Sequence, residues 1–239
     1  MNSTLNRRTP FGVVGGMGPM SSAEFVKTIY EYSLREREQD SPVVYLHSDP
    51  TFPDRTEAFL AGEDDVVLAK LVEALRGLKA LGAPRAAVCC MTIHHLLPRL
   101  PEDLKGMVVS LLDVIFDRLP PAPRRHLLLC SSGTRRFRLF ETHPRWEEAR
   151  ELIVMPDEAD QQRIHRDLIY PMKTNPDMSE RVPLVDALLA KYGVESFVVG
   201  CSEIHMLAKQ YRAHAPARGG SFCVDPFAIL AEGLAGECL

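Results

Sequence analysis

Several common devices are missing from this 239-residue chain. It has no C-x-x-C pair and no zinc-finger spacing among its six cysteines, at 89, 90, 130, 201, 223 and 238. That removes the usual signatures of a structural zinc site or a disulfide framework, and a reducing cytoplasm suits such thiols. No block of lysine or arginine occurs, the net charge is −4 and the pI is about 6.1. A polyanion such as nucleic acid is therefore not the expected partner. No apolar run approaches the length of a membrane span. Arg7-Arg8 precedes an apolar stretch, but that stretch is glycine-rich, is broken by Pro19 and lacks an A-x-A cleavage pattern, so it does not read as an export signal. A dinucleotide fingerprint is also absent: the glycines at 15, 16 and 18 do not fit G-x-G-x-x-G.

What is present is a repeat. Ala87-Val88-Cys89-Cys90-Met91-Thr92-Ile93-His94 and Val198-Val199-Gly200-Cys201-Ser202-Glu203-Ile204-His205 share one design, with Cys90 and Cys201 111 residues apart. The same offset relates Gly82 to Gly193, Val88 to Val199, Ile93 to Ile204, His94 to His205 and Leu96 to Leu207. Each copy reads as a buried parallel strand that delivers a cysteine to the loop at its carboxyl end, where a helix begins. A thiol at a helix N-terminus is biased toward thiolate, the form that acts as a base.

The remainder alternates strands and helices. Strands are expected at 11–14, 43–46, 107–112, 126–130, 152–156 and 221–225. Helices are expected from 23, at 57–60, 66–81, near 92, and at 113–119, 158–170, 182–192 and 227–234. This is the pattern of an open, mostly parallel α/β sheet built twice. Pro120-Pro121-Ala122-Pro123 is the natural junction. The expected domains are 1–118 with 212–239, and 119–211. The turn Gly15-Gly16-Met17-Gly18-Pro19 lets a small ligand approach the backbone, and Arg55 sits in a loop at a strand end.

Two thiols, one per half, suit removal of a carbon-bound proton on one face and return of a proton on the other, with no metal or organic cofactor. Thr92, Ser131, Thr134 and Ser202 are candidate donors to a substrate carboxylate. His94 and His205, one helical turn after the cysteines, are candidates to hold a thiolate or shuttle its proton.

Together these stretches resemble, in order, the signatures of the cofactor-independent aspartate/glutamate racemase family: Gly15-Gly16-Met17-Gly18-Pro19, Pro53-Asp54-Arg55-Thr56, Cys90-Met91-Thr92-Ile93-His94 and Gly200-Cys201-Ser202-Glu203-Ile204. Weaker echoes lie at Gly62-Glu63-Asp64, Gly133-Thr134 and Pro156-Asp157-Glu158 with Gln161. The resemblance implies two pseudo-symmetric α/β domains with the active site between them. It also implies that Cys90 and Cys201 are the catalytic acid/base thiols and that Arg55 contacts the side-chain carboxylate of an acidic amino acid. Met17 and Glu203, inside the shared motifs, join the substrate-binding candidates. The family's second cation is a lysine a few residues after an Ile-Tyr pair; Lys173, after Ile169-Tyr170, stands one residue early with Pro171 between. Met91 stands where the family usually has asparagine, and Cys89 where it often has proline. Methionine donates no hydrogen bond, so the substrate is expected either to bind differently or to be a different acid.

The leading expectation is an amino-acid racemase acting on aspartate or glutamate in the cytoplasm. It would need no cofactor or metal, and a homodimer is expected from the base rate for such enzymes. The alternatives are an isomerase, epimerase or decarboxylase of another small carboxylic acid, and a catalytically silent small-acid binder. A soft-metal site at Cys89, Cys90, Cys201 and the two histidines ranks last, because adjacent strand residues point to opposite faces.

Overall fold

A computed structural model describes residues 9–119, 124–175, 177, 179–213 and 223–237. The expected junction at Pro120–Pro123, the first eight residues, the start of the expected strand at Ser221 and Cys238 lie outside the described residues. The chain divides into two compact units, Met1–Leu111 with Phe227–Leu239, and Leu112–Pro226.

The first unit contains β1 (Phe11–Gly15), β2 (Val44–Ser48), β3 (Arg85–Val88) and β4 (Val108–Val109). They form one sheet in the order β2-β1-β3-β4, and every pairing is parallel. Burial explains the central pair: Val13 and Val14 in β1, and Ala86, Ala87 and Val88 in β3, are wholly inaccessible. Such strands carry apolar residues on both faces because helices cover both faces. Helix Asp64–Ala80 buries Val67, Leu71, Ala74, Leu75 and Leu78, which recur at three- and four-residue steps along one stripe. Leu78 packs where a side chain on Gly12 would otherwise stand, its Cδ1 only 3.0 Å from that position. The tail helix Pro226–Glu237 also belongs largely to this unit, with Phe227 set edge-on to Phe25 at 5.1 Å.

The second unit contains β5 (His126–Cys130), β6 (Ile153–Val154), β7 (Phe197–Gly200) and β8 (Cys223–Val224), ordered β6-β5-β7-β8 and again all parallel. In both sheets the order is second, first, third, fourth strand of the unit, so the sequence repeat is also a repeat of topology. Gly82 and Gly193, matched by the 111-residue offset, both adopt left-handed backbone (φ 88° and 62°) just after the helices that lead to β3 and β7. That conformation stops a helix at little cost only in glycine. Gly200 is needed for a different reason: a Cβ there would lie 2.7 Å from the Cβ of Cys130.

Four expectations are corrected. Only Val108–Val109 of the expected 107–112 strand is extended, and a helix begins at Leu111, because Leu111, Leu112, Ile115 and Phe116 are spaced to bury one helical face. The segment after Cys90 is a 3-10 helix, Thr92–Arg99, with Pro98 inside it. The expected helix at 158–170 is α-helical only to Arg163 and then π-helical over Ile164–Ile169, just before Pro171, which has no N–H for an α-helical bond. Finally, Cys223–Val224 pairs with β7 and so completes the second sheet, not the first.

At the amino edge of the second sheet, His126 Nδ1 lies 2.7 Å from Ser196 Oγ, both buried. Burial, with the Arg124 charge adding to it, pushes the His126 imidazole down to about 4 from its ordinary 6.5. The unfolded chain binds this proton below pH 6.5 and the folded chain only near 4, so this group's contribution to stability is complete above 6.5 and is lost as pH falls through 4. Urea midpoints measured from pH 7 to pH 4 are expected to fall, and to fall less steeply in His126→Asn. Equal slopes for the two proteins would contradict the assignment.

Candidate functional site

In a parallel sheet all carboxyl ends lie along one edge, and in each unit that edge gathers most of the residues singled out above. In the first unit, Gly16 follows β1 in left-handed backbone (φ 92°), and a Cβ there would lie 2.3 Å from the Asp49 carbonyl oxygen. The turn after β1 and the loop after β2 therefore touch through backbone alone, which only glycine permits. The Gly16 N–H donates to Ser22 Oγ at 3.2 Å. Asp49, held well below the usual carboxylate range by the Lys70 ammonium and by hydrogen bonds from Thr51, anchors the second loop through a 2.7 Å ion pair.

That loop carries Arg55, the first residue of helix Arg55–Leu60, whose N-cap Asp54 accepts from the N–H groups of Thr56 and Glu57. Arg55 is buried, and its guanidinium donates to the carbonyls of Pro53 (2.8 Å) and Met17 (3.3 Å). Met17 and Arg55 are thus brought together. Cys90 follows β3 by two residues. Cys89 N–H extends the ladder by donating to Val14 O, and Cys90 N–H turns back to Val88 O, both at 2.8 Å. Cys90, Thr92 and His94 are all buried. Met91 is also buried, at 1% exposure, so this position packs into the core and presents no donor.

In the second unit Ser131 follows β5 as the N-cap of a short helix, its hydroxyl accepting from Thr134 N–H and donating to Thr134 Oγ1, each at 3.2 Å. Gln161 ties this loop down by donating to Cys130 O at 2.9 Å. After β7 comes the densest cluster. The Cys201 thiol donates to Glu203 Oε2 at 2.9 Å, Ser202 Oγ donates to the same oxygen at 3.1 Å, and Lys173 Nζ stands 3.7 Å from Glu203 Oε1. Glu203 is 1% exposed, so these donors and the ammonium take the place of water around its carboxyl group. Lys173 reaches the cysteine's neighbourhood despite its early place in the sequence. The π-helical segment leads into Tyr170, whose ring lies 5.3 Å under Lys173 Nζ.

Both histidines are hydrogen-bonded. His94 Nδ1 meets Cys90 O at 2.9 Å, and its Nε2 accepts from Leu111 N–H at 3.1 Å. His205 Nδ1 donates to Asp225 Oδ2 at 2.8 Å. Burial pushes the Asp225 carboxyl up, but His205 and Arg212 outweigh that and hold it below the usual range. Burial raises the thiols of Cys130 and Cys223 to about 12, which leaves them protonated spectators. None of the five described cysteines is in a disulfide.

Sequence reasoning did not single out Asp225, Tyr170 or His165. His165 Nδ1 accepts from Ser132 N–H at 3.2 Å, and its ring packs on Tyr170 at 4.4 Å. A histidine five residues before a tyrosine carries no recognisable spacing, because the π-helix that aligns the two is not written in the apolar pattern.

The profile of the Asp/Glu/Hydantoin racemase family matches residues 14–234, nearly the whole chain. The chain belongs to this family. Racemases are isomerases, and that is the enzyme class of this member. Its fold is shared with an aspartate racemase from Picrophilus torridus (TM-score 0.78, 20% identity, 96% of this chain and 94% of that one). It is also similar to an aspartate racemase homologue from Pyrococcus horikoshii OT3 (0.69, 20%, 96% and 99%) and to glutamate racemase isoform RacE1 from Bacillus anthracis (0.62, 13%, 97% and 82%). Family membership accounts for the twofold α/β design of the racemase chain. No helix among the described residues is long and apolar enough to cross a membrane.

Proposed function

We propose that this racemase inverts the α-carbon of aspartate or glutamate, with Cys90 and Cys201 as the two bases. The observation that carries the reading is the duplication itself: two cysteines at equivalent strand ends, β3 and β7, in sheets of identical order. One thiolate removes the α-proton and the opposite thiol supplies a proton to the other face, so no organic cofactor is needed to complete the turnover. The two thiols therefore start each turnover in opposite protonation states.

Glu203 takes the Cys201 proton before Cys201 acts as base, a role distinct from the substrate contact its motif implies. Cys201 then keeps the α-proton as a thiol, and the proton on Glu203 leaves to solvent while Cys90, which has given its own proton to the substrate, is reprotonated. Thr92, Ser131, Thr134 and Ser202 supply donors to the carboxylate that must be stabilised as the carbanion forms. Arg55 and Lys173 are the two cations for an acidic substrate. Arg55→Lys is expected to raise KM about tenfold or more with a smaller change in kcat, because a single ammonium cannot replace a fork that spans two carbonyls and a carboxylate. Steady-state kinetics at unchanged Tm checks this; an unaltered KM would remove Arg55 from the substrate site.

The deciding experiment follows the α-proton by NMR in deuterated water, with L-aspartate, L-glutamate and a panel of other amino acids and no added cofactor. Loss of the α-proton signal with appearance of the D-enantiomer on a chiral column supports the reading. The burial of Met91 favours one further possibility, a different small carboxylic acid as the substrate of an isomerase or decarboxylase, and silence across the amino-acid panel would select it.

A further inference from the structure

The chain passes between its units twice, at Leu111/Leu112 and at Pro226/Phe227. Both passages are gripped by a histidine four residues after a strand-end cysteine. His94 accepts from the Leu111 N–H, the last backbone donor before the first passage, while its other ring nitrogen meets the carbonyl of Cys90. Because Nε2 is the acceptor, Nδ1 carries the proton and donates, and one neutral imidazole spans from the cysteine to the passage. His205, the 111-residue counterpart, donates to Asp225, two residues before the second passage. Arg212, on the same helix as His205, pairs with the same Asp225 oxygen at 2.7 Å and reaches Cys223 Sγ at 3.6 Å, which fastens the end of β8.

Both rings are buried, His205 completely. A structural filler at these places needs no polar atoms, and burying an imidazole costs free energy unless its nitrogens are bonded. The bonds made are not equivalent in chemistry, a backbone amide in one unit and a carboxylate in the other. They are equivalent in place.

We propose that His94 and His205 are a matched pair of positioning residues, each locking the turn that carries its cysteine to the point where the chain leaves that unit. This rests on the two-base reading above. The orientation of Cys90 then depends on the path of the chain at Leu111, and that of Cys201 on its path at Asp225. Neither imidazole touches substrate in this scheme, so each acts through the geometry of one thiol.

The test uses the full-length chain with His94→Leu, His205→Leu and the corresponding glutamine variants, since a glutamine amide both donates and accepts. Wash-out of the α-proton into deuterated water is measured separately from each enantiomer, alongside KM and amide exchange at Leu111. His94→Leu is expected to slow wash-out about tenfold for one enantiomer, and His205→Leu for the other. KM should change less than twofold, with partial recovery in the glutamine variants and faster exchange of the Leu111 amide in His94→Leu only. If a leucine variant fails to fold, the same enantiomer preference is read from its glutamine partner at smaller amplitude. Wild-type wash-out with no enantiomer preference in any variant overturns the inference and leaves the two-base reading standing. An unchanged Leu111 amide in His94→Leu overturns it by itself. Absence of wash-out in the wild type overturns the two-base reading and this inference with it.

Discussion

Racemisation by Cys90→Ser and by Cys201→Ser is expected to fall by about 10³-fold in each case, within the range for removal of a positioned acid–base group. A serine hydroxyl fits the volume of a thiol but is too weak an acid to exist as the base near neutral pH, so the substitution removes proton transfer while leaving the fold intact. Both thiols are nearly inaccessible, at 6% and 8% exposure, and a change of one buried atom of similar shape should cost little stability. The informative result is the difference between the two activities. Each single variant retains one thiol and should still exchange the α-proton of one enantiomer, although neither completes inversion. Full racemisation by either variant would eliminate the two-base mechanism, and loss of exchange from both enantiomers in both variants would indicate that the thiols act as one unit.

The second large effect is expected at Glu203. Glu203→Gln preserves the shape and can still accept a hydrogen bond from Cys201 through its amide oxygen, but it cannot take the proton. Turnover should fall by about 10²-fold, at the lower end of the acid–base range. The loss should reside mainly in kcat, with the larger defect in the wash-out step that the Cys201→Ser variant also impairs. Lys173, 3.7 Å from the same carboxylate, gives an internal control. If Glu203 were only an anchor for Lys173, then Glu203→Gln would raise KM for the acidic substrate and leave kcat near its original value. The ratio of the two effects therefore separates a proton acceptor from an electrostatic strut.

The legible and illegible parts of this chain differ in the range of the interactions that make them. Cys90 and Cys201 could be placed at strand ends because the evidence is local: a short apolar run, a cysteine, then a helix start. The fixed 111-residue spacing raised two local signals into one statement about the fold. The glycine turn after β1 was readable for the same reason, since its residues are neighbours in the chain. The course of Cys223–Val224 was not, because two residues have no period and only their pairing with β7 assigns them. Lys173 looked misplaced by one position, yet the change from α- to π-helical turns over Ile164–Ile169 alters how far the chain winds before reaching it.

The sequence alone determined that this chain is a duplicated, mostly parallel α/β protein with one cysteine delivered by each half, because strand burial, helix periodicity and turn chemistry are properties of neighbouring residues. The tertiary structure decided which partners those cysteines and histidines have. Glu203 turns to the thiol of Cys201, His94 reaches Leu111, and His205 reaches Asp225, twenty residues away. Hydrogen bonds of that kind are chosen by which groups are left without water once the sheets are packed, and no pattern along the chain encodes that choice.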